Sequence, residues 1–435
     1  MRETTSPDRI AAPDHKPTPR SRWFRIGPLI FLAYLACYVD RNNISVAAPD
    51  MMRHFGMTGV GTGVLLSAFF WGYVVMQIPG GWIASRFGPK WVIVGCLLGV
   101  SVTGVLTGVV ENYRALLAIR FLMGLAEGVI WPSFAVIIMR WFPSEERGRA
   151  VNLAQYVLPL SSTLMAPVSG WMISAWSWEA MFILQALPVL VLALAWIILG
   201  SSDPTHDRRI SEAEKYRILA TRDQDTGQAG SFFDVFRRPV VWGLCLAYFL
   251  WLTGLYGFGL WLPSLIRQIS STGISSAAEL TAIPYAFAIL GLFLNVYWAD
   301  RAKHARALHF IVPLAIGGVS MLLQNQLAPG LVMSMVLLVI TGVSLFCGIG
   351  VWWAWALGMA PRNQIGPSAG LINFFGNFGG IVGPIVVGAA AGSGSPAGSF
   401  HVVGYALLAS AAVNTVVWLS SYPSAAPAKA VATAD

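Results

Sequence analysis

Charge is scarce in this chain. Only 11% of its 435 residues are Asp, Glu, Lys or Arg, against about a quarter in an ordinary soluble domain. With 56% hydrophobic residues and a mean hydropathy of +0.64, a water-soluble fold would have little to cover its surface with. Cysteine is scarce too. Cys37, Cys96, Cys245 and Cys347 lie singly inside apolar runs, which excludes a disulfide framework or a metal cluster and leaves them as small core residues. The six His (His15, His54, His206, His304, His309 and His401) are scattered over tails, loops and run ends. No H-E-x-x-H, G-x-S-x-G or Walker A motif occurs, and Gly59-Val60-Gly61-Thr62-Gly63 opens no βαβ unit. The chain therefore reads as no enzyme, with no metal and no cofactor. Residues 1–22 are polar, carry Pro7, Pro13, Pro17 and Pro19, and contain no apolar h-region. They predict a disordered cytoplasmic tail over 1–25, not a cleaved signal.

What the chain does have is apolar runs of about 20 residues, the length that crosses hydrocarbon as a helix. Twelve are expected, over 26–49, 60–83, 91–110, 115–139, 151–174, 180–200, 240–266, 279–299, 308–324, 331–358, 366–391 and 400–420. Abundant Gly, Pro and Trp suit a membrane bundle. The longest polar gap, 201–239, holds seven Lys/Arg and seven Asp/Glu. It divides an N-terminal six-helix half (26–200) from a C-terminal one (240–421), and 422–435 forms a second tail. Of the 28 Lys and Arg, only Arg53, Arg114 and Arg267 fall in loops on the face opposite the N-terminus, while Arg41 and Arg120 fall inside spans. That asymmetry predicts an inner (plasma) membrane protein with both termini cytoplasmic. It also explains the net charge of +8 as topology signals, so no nucleic acid partner is expected.

The halves echo each other. A shift of 215 places Leu65 on Leu280, Ala84 on Ala299 and Arg86 on Arg301; a shift of 218 places Pro143 on Pro361, Gln155 on Asn373 and Gly170 on Gly388. The reading is an all-α membrane protein of two pseudo-symmetric six-helix halves with a site between them.

Four ionisable residues interrupt the apolar runs: Asp40 and Arg41 in the first span, Arg120 and Glu127 in the fourth. A charge facing lipid costs roughly 2.5 kcal/mol or more, so these residues face a polar cavity or one another. Arg120 and Glu127 are two turns apart on one face, about 10 Å along the axis. Arg offers a rigid fork of donors suited to a carboxylate. A carboxylate withdrawn from water can take up a proton near neutral pH. Two cations and two proton sites together suggest cotransport of an organic anion with protons. The C-terminal half has no charge deep in its spans. It offers Tyr256, Asn295, Asn373 and Asn377, and the aromatic run Trp352-Trp353-Ala354-Trp355 in the tenth span. Asn373 and Asn377 share one helix face. The Trp cluster suggests a pocket able to shield an aromatic or compact carboxylate, or packing at the lipid interface.

The loop Gly81-Trp82-Ile83-Ala84-Ser85-Arg86-Phe87-Gly88-Pro89-Lys90 resembles the G-x-L-x-D-R-x-G-R/K-R/K signature of the major facilitator superfamily, with Ser85 where the acid usually stands. Asp300-Arg301 preserves the pair in the second half. Gly81, Arg86, Gly88, Asp300 and Arg301 are accordingly expected to act in conformational gating. Further segments resemble the superfamily's anion:cation symporters: Tyr38-Val39-Asp40-Arg41 with Asn43, Arg120 through Gly124 to Glu127, Trp141-Phe142-Pro143 with Glu146-Arg147-Gly148, Gln155-Tyr156, and Asn373 with Gly376-Asn377. The resemblance implies a major facilitator fold and proton-driven uptake of a carboxylate such as a sugar acid, a tartrate-like acid or an aromatic acid. It implies Arg41 at the substrate carboxylate, Asp40 and Glu127 in proton coupling, and Tyr38, Arg120, Gln155 and Asn373 near the substrate. Tyr256 and Asn377 join them from the residue reading. The proton gradient is the expected energy source, and a monomer the expected working unit. Efflux, or sensing without transport, are the alternatives.

Overall fold

A computed structural model describes residues 21–222, 232–299, 301, 306–327, 330–361, 364–392 and 399–421. These residues form helices and connecting turns. Ten helices among them are long and apolar enough to cross a membrane. With Val157–Ala175 and Leu308–Leu327 they make twelve. We label the spans α1 (Gly27–His54), α2 (Gly59–Phe87), α3 (Pro89–Val109), α4 (Tyr113–Trp141), α5 (Val157–Ala175) and α6 (Trp178–Leu199) in the first half. The second half holds α7 (Pro239–Ser270), α8 (Ile274–Ala299), α9 (Leu308–Leu327), α10 (Leu331–Gly358), α11 (Ile365–Ala391) and α12 (His401–Ser421).

Local chemistry sets several helix starts. The Asn112 side chain accepts from the amides of Arg114 and Ala115. Thr58 accepts from Gly61 and Ser177 from Ala180. Each satisfies amides that a helix N-terminus leaves unbonded. Outward faces stay apolar: Leu187, Leu190, Val191, Leu194, Ile197 and Ile198 form an exposed stripe on α6 at helical spacing, a surface suited to lipid.

Packing repeats between the halves. The first half pairs α1 with α5, α2 with α4 and α3 with α6; the second pairs α7 with α11, α8 with α10 and α9 with α12. Contacts between halves run through α2–α11 and α5–α8, which the same exchange interchanges. The helix breaks repeat as well. α4 opens at Gly128 and Val129, and α10 opens at Cys347 and Gly348.

The run expected as one span over 151–174 is broken at Tyr156, leaving the separate helix Ser144–Gln155 at the linker face. Pro159 has no amide to give the Gln155 carbonyl, which accounts for a break there. On the opposite face α1 and α7 run beyond the expected ends, to His54 and Ser270.

The expected tail 1–25 differs at its end. Ser21–Arg25 is helical, and Arg22 is buried between two acids. Its guanidinium reaches Glu146 at 2.6 Å and Glu214 at 2.9 Å. Trp23 Nε1 donates to Glu146 at 2.7 Å, and Arg25 pairs with Asp207 at 3.2 Å. Glu214 belongs to the helix Glu212–Arg222, so the start of the 201–239 segment folds back on the first half. Residues 1–20 and 422–435 lie outside the described residues.

The two halves meet tightly on the face opposite this segment. Arg267 at the end of α7 donates to Asp50 on α1 at 3.0 Å. Gly63 of α2 lies against the backbone of Pro384 and Ile385, Gly388 of α11 against the Gly59 carbonyl, and Gly170 of α5 against Ala278. A side chain at Gly63 would bring its Cβ to 2.9 Å from the Ile385 Cα. At Gly63 and Gly388 the halves meet with backbone against backbone, a closeness only glycine permits.

Candidate functional site

Between the halves lies a cavity of about 580 Å³. It runs from Arg41 to Val151, Leu357 and Gly366 near the linker face. Of the described residues that line it, Arg41 alone carries a charge.

The position of Arg41 follows from helix geometry. Consecutive residues on a helix point about 100° apart. Asp40 and Arg41 therefore serve different surroundings. Arg41 is buried, its guanidinium 4.3 Å from the Tyr38 ring centroid, 4.7 Å from Tyr73 and 4.8 Å from Phe69. Its Nη2 is bonded to Glu127. The hydroxyls of Tyr73 and, from the other half, Tyr256 face the same guanidinium. Glu127 ends the first segment of α4, just before the break. The α2–α4 crossing brings it there: Gly72 sits on the Phe121 carbonyl and Gly124 on the Phe69 carbonyl. No side chain would fit at either contact, so α4 lies directly against α2 with Glu127 beside Tyr73 and Arg41.

Asp40 is fully buried within the first half. Its Oδ1 accepts from Asn43 Nδ2 at 3.2 Å. The same nitrogen donates to Gln185 Oε1 at 3.1 Å, and Gln185 Nε2 donates to Ser169 Oγ at 2.8 Å. Asp40 Oδ2 and Glu127 Oε2 are buried with no hydrogen-bond partner among the described residues. Two buried acids with spare acceptor positions are suited to holding a proton.

Not every expected residue reaches the cavity. Tyr38, Arg41, Gln155, Tyr256, Asn373 and Asn377 line it. Arg120, expected near the substrate, does not. It is buried behind α1, where Nη1 donates to the Asp40 carbonyl at 3.2 Å and contacts Met123 Sδ. Arg120 and Glu127 share a helix as expected, but Glu127 is paired with Arg41, not left as the free end of an Arg120–Glu127 site. Asn373 donates to Gln77 Oε1 at 2.9 Å across the halves, and Asn377 donates back to the Asn373 carbonyl at 2.8 Å. Asn295 is away from the cavity, bonded to the carbonyls of His309 and Cys347.

The tenth-span tryptophans divide. Trp352 is buried, donates to Asn414 and stacks on Tyr248. Trp355 packs on Phe310. Trp353 lines the cavity. Tyr34, Tyr73, Gln77, Trp131, Tyr248 and Phe374 line it too and were not singled out in the sequence. Gln77 was findable as a lone amide in an apolar run. The aromatic residues were not, because membrane helices carry many such rings for packing.

Of the gating residues, Gly88 has φ of +82° and makes the tight α2–α3 turn that a glycine allows. Gly81 has open space around it, and Arg86 is exposed over the Trp82 ring. Arg301 lies over Tyr297, its guanidinium 3.6 Å from the ring centroid. Asp300 lies outside the described residues.

The twelve-helix arrangement and the inter-half cavity define a polytopic membrane transporter. The sequence model described as Major Facilitator Superfamily matches residues 30–384, and the chain belongs to that family. Among its relatives is an Agrobacterium vitis protein named "Putative tartrate transporter", 27% identical over 415 residues, covering 92% of this chain and 90% of that one. Another is the "Probable galactarate/D-glucarate transporter GudP" of Bacillus subtilis, 29% identical over 394 residues, covering 84% and 85%. In fold the chain is similar to a bacterial homologue of the human lysosomal transporter Spinster, solved inward-facing and unoccupied. The TM-score is 0.73 at 17% identity, covering 92% of this chain and 96% of that one.

Proposed function

We propose that the protein takes up a small organic carboxylate together with protons by alternating access. Its setting is the plasma membrane, with both termini cytoplasmic and each chain working alone. The observation that carries this reading is the buried Arg41–Glu127 pair at the head of the cavity. Inside the spans of the first half, the buried Arg41 and Arg120 balance the buried Asp40 and Glu127 in charge. An anion entering alone would leave that low-dielectric interior with a net negative charge. A proton on Glu127 removes one negative charge and releases the Arg41 fork, and a carboxylate can then take Glu127's place. Arg41 thus holds substrate, Glu127 holds the proton that makes room for it, and Asp40 offers a second proton site. Tyr38, Gln155, Tyr256, Asn373 and Asn377 surround the rest of the ligand; Arg120 braces α1 behind them.

Two relatives carry names specifying transport of organic acids, which supports the substrate class. Closure on the face opposite the 201–239 segment fits a state open to the cytoplasm under the orientation set by the Lys and Arg. Reporter fusions at the C-terminus are expected to report a cytoplasmic location; an external one would overturn that orientation. The direct test is uptake by proteoliposomes from a panel of carboxylates, with and without an acid-outside pH gradient. The expected result is accumulation of at least one carboxylate that collapses when a protonophore is added. Uptake of none of them, or accumulation indifferent to the gradient, contradicts the proposal.

A further inference from the structure

Resting on the carboxylate-transport reading, we infer that the cavity is built for an aromatic monocarboxylate: one carboxyl group on a flat ring, not a hydroxylated dianion. Two features carry this, the charge count of the lining and the aromatic residues that both halves contribute to it.

Arg41 is the single charged group among the described lining residues. Three rings crowd its guanidinium, so it presents its fork to one carboxylate. A second carboxylate on the same ligand would lie against rings and amides without a cation, and a charge withdrawn from water without a partner is costly. A polyol chain fares little better. Each hydroxyl withdrawn from water needs a partner. The amide nitrogens of Asn373 and Asn377 and Gln77 Oε1 are already engaged with one another, and among these three amides Gln77 Nε2 is the one donor left without a partner among the described residues.

The remaining surface carries aromatic residues on both sides, among aliphatic ones. Tyr34 and Trp131, with centroids 5.5 Å apart, line it from the first half. Tyr248 and Trp353, with centroids 5.1 Å apart, line it from the second, and Phe374 lies beside them on α11. Trp131, Trp353 and Phe374 are only half-buried, so part of each ring stays open to the cavity. A ring held between such walls gains stacking and edge contacts that a sugar chain does not. The walls belong to opposite halves, so a ring between them also touches the two bodies that must move together.

The test uses the full chain in proteoliposomes, reading counterflow exchange at neutral pH for four labelled probes. They are 4-hydroxybenzoate (aromatic, one charge), phthalate (aromatic, two charges), D-gluconate (hydroxylated, one charge) and D-glucarate (hydroxylated, two charges). The expected result is the lowest half-saturation for 4-hydroxybenzoate. Trp353→Leu should raise that value roughly two- to tenfold, and Trp353→Phe should recover most of the loss. A lower half-saturation for phthalate overturns the single charge. A lower one for D-gluconate overturns the ring, and a lower one for D-glucarate overturns both while transport of carboxylates stands. Exchange of none of the four, in vesicles that also take up no other carboxylate, removes the transport reading and this inference with it. An unchanged half-saturation in Trp353→Leu overturns the role of the second-half wall.

Discussion

Arg41 combines three demands that no other side chain meets together. It lies among the rings of Tyr38, Phe69 and Tyr73, is bonded to Glu127, and lines the cavity. A planar guanidinium can lie flat against aromatic faces while its edge donates to two acceptors; an ammonium is a compact point charge that cannot. Arg41→Lys is therefore expected to cut uptake by more than about thirtyfold although charge is kept. Initial rates normalised to the amount of protein in the membrane check this, and near-normal rates would make Arg41 a packing residue. Its neighbour Asp40 points the other way, into the Asn43–Gln185–Ser169 chain. The sequence put Asp40 and Arg41 side by side without separating their surroundings. One turn of reasoning about helix angle separates them, but which neighbour each would meet required the packing of α4 and α6.

Two sets of contacts tie helices together on opposite faces of the protein. On the far face, Gly63 meets the backbone of α11 and Arg267 meets Asp50. The ion pair is partly exposed, with side chains 25% and 18% accessible, and such pairs contribute about 0–1 kcal/mol. The backbone contact leaves no room for a Cβ without moving a whole helix. Gly63→Val is thus expected to open the far face much more than Asp50→Asn. Spin-label distances between the far-face ends of α2 and α11 read the outcome. Equal shifts in the two variants would show that charge, not backbone contact, holds that face closed. On the linker face, Arg22 joins Glu146 to Glu214. Burial acts to raise the Glu146 carboxyl, but the hydrogen bonds from Arg22 and Trp23 and the Arg22 charge outweigh it, leaving it below its usual value of 4.5. A carboxylate depressed in the folded protein contributes stability above its unfolded value and loses it as pH falls through the folded one. Glu146→Gln is therefore expected to lower the melting temperature near neutral pH, with the difference from the parent protein shrinking as pH drops below about 4. A difference that stays constant with pH would contradict an ionic latch.

The whole molecule was legible wherever it depended on apolar length. Twelve spans, two halves and a polar divider could all be read because lipid demands long uninterrupted helices. The four ionisable residues inside the spans were legible for the same reason, since a charge stands out in an apolar run. Less legible were features that arise only when helices meet. The break at Tyr156, the burial of Arg22 and the retreat of Arg120 behind α1 all depend on partners distant in sequence. So do the aromatic walls from Tyr34 and Trp131 to Trp353, whose residues look like ordinary membrane packing until the cavity between them is seen. The proposed coupling belongs to this level too, because it would link one proton on α4 to the relative motion of both halves. Glu127→Gln tests it most directly, since glutamine keeps size and hydrogen bonding but cannot titrate. In proteoliposomes, counterflow exchange and accumulation driven by acid outside are measured side by side. The account predicts that Glu127→Gln still exchanges labelled for unlabelled substrate but no longer accumulates it against a gradient. Full proton-driven accumulation by Glu127→Gln would contradict it.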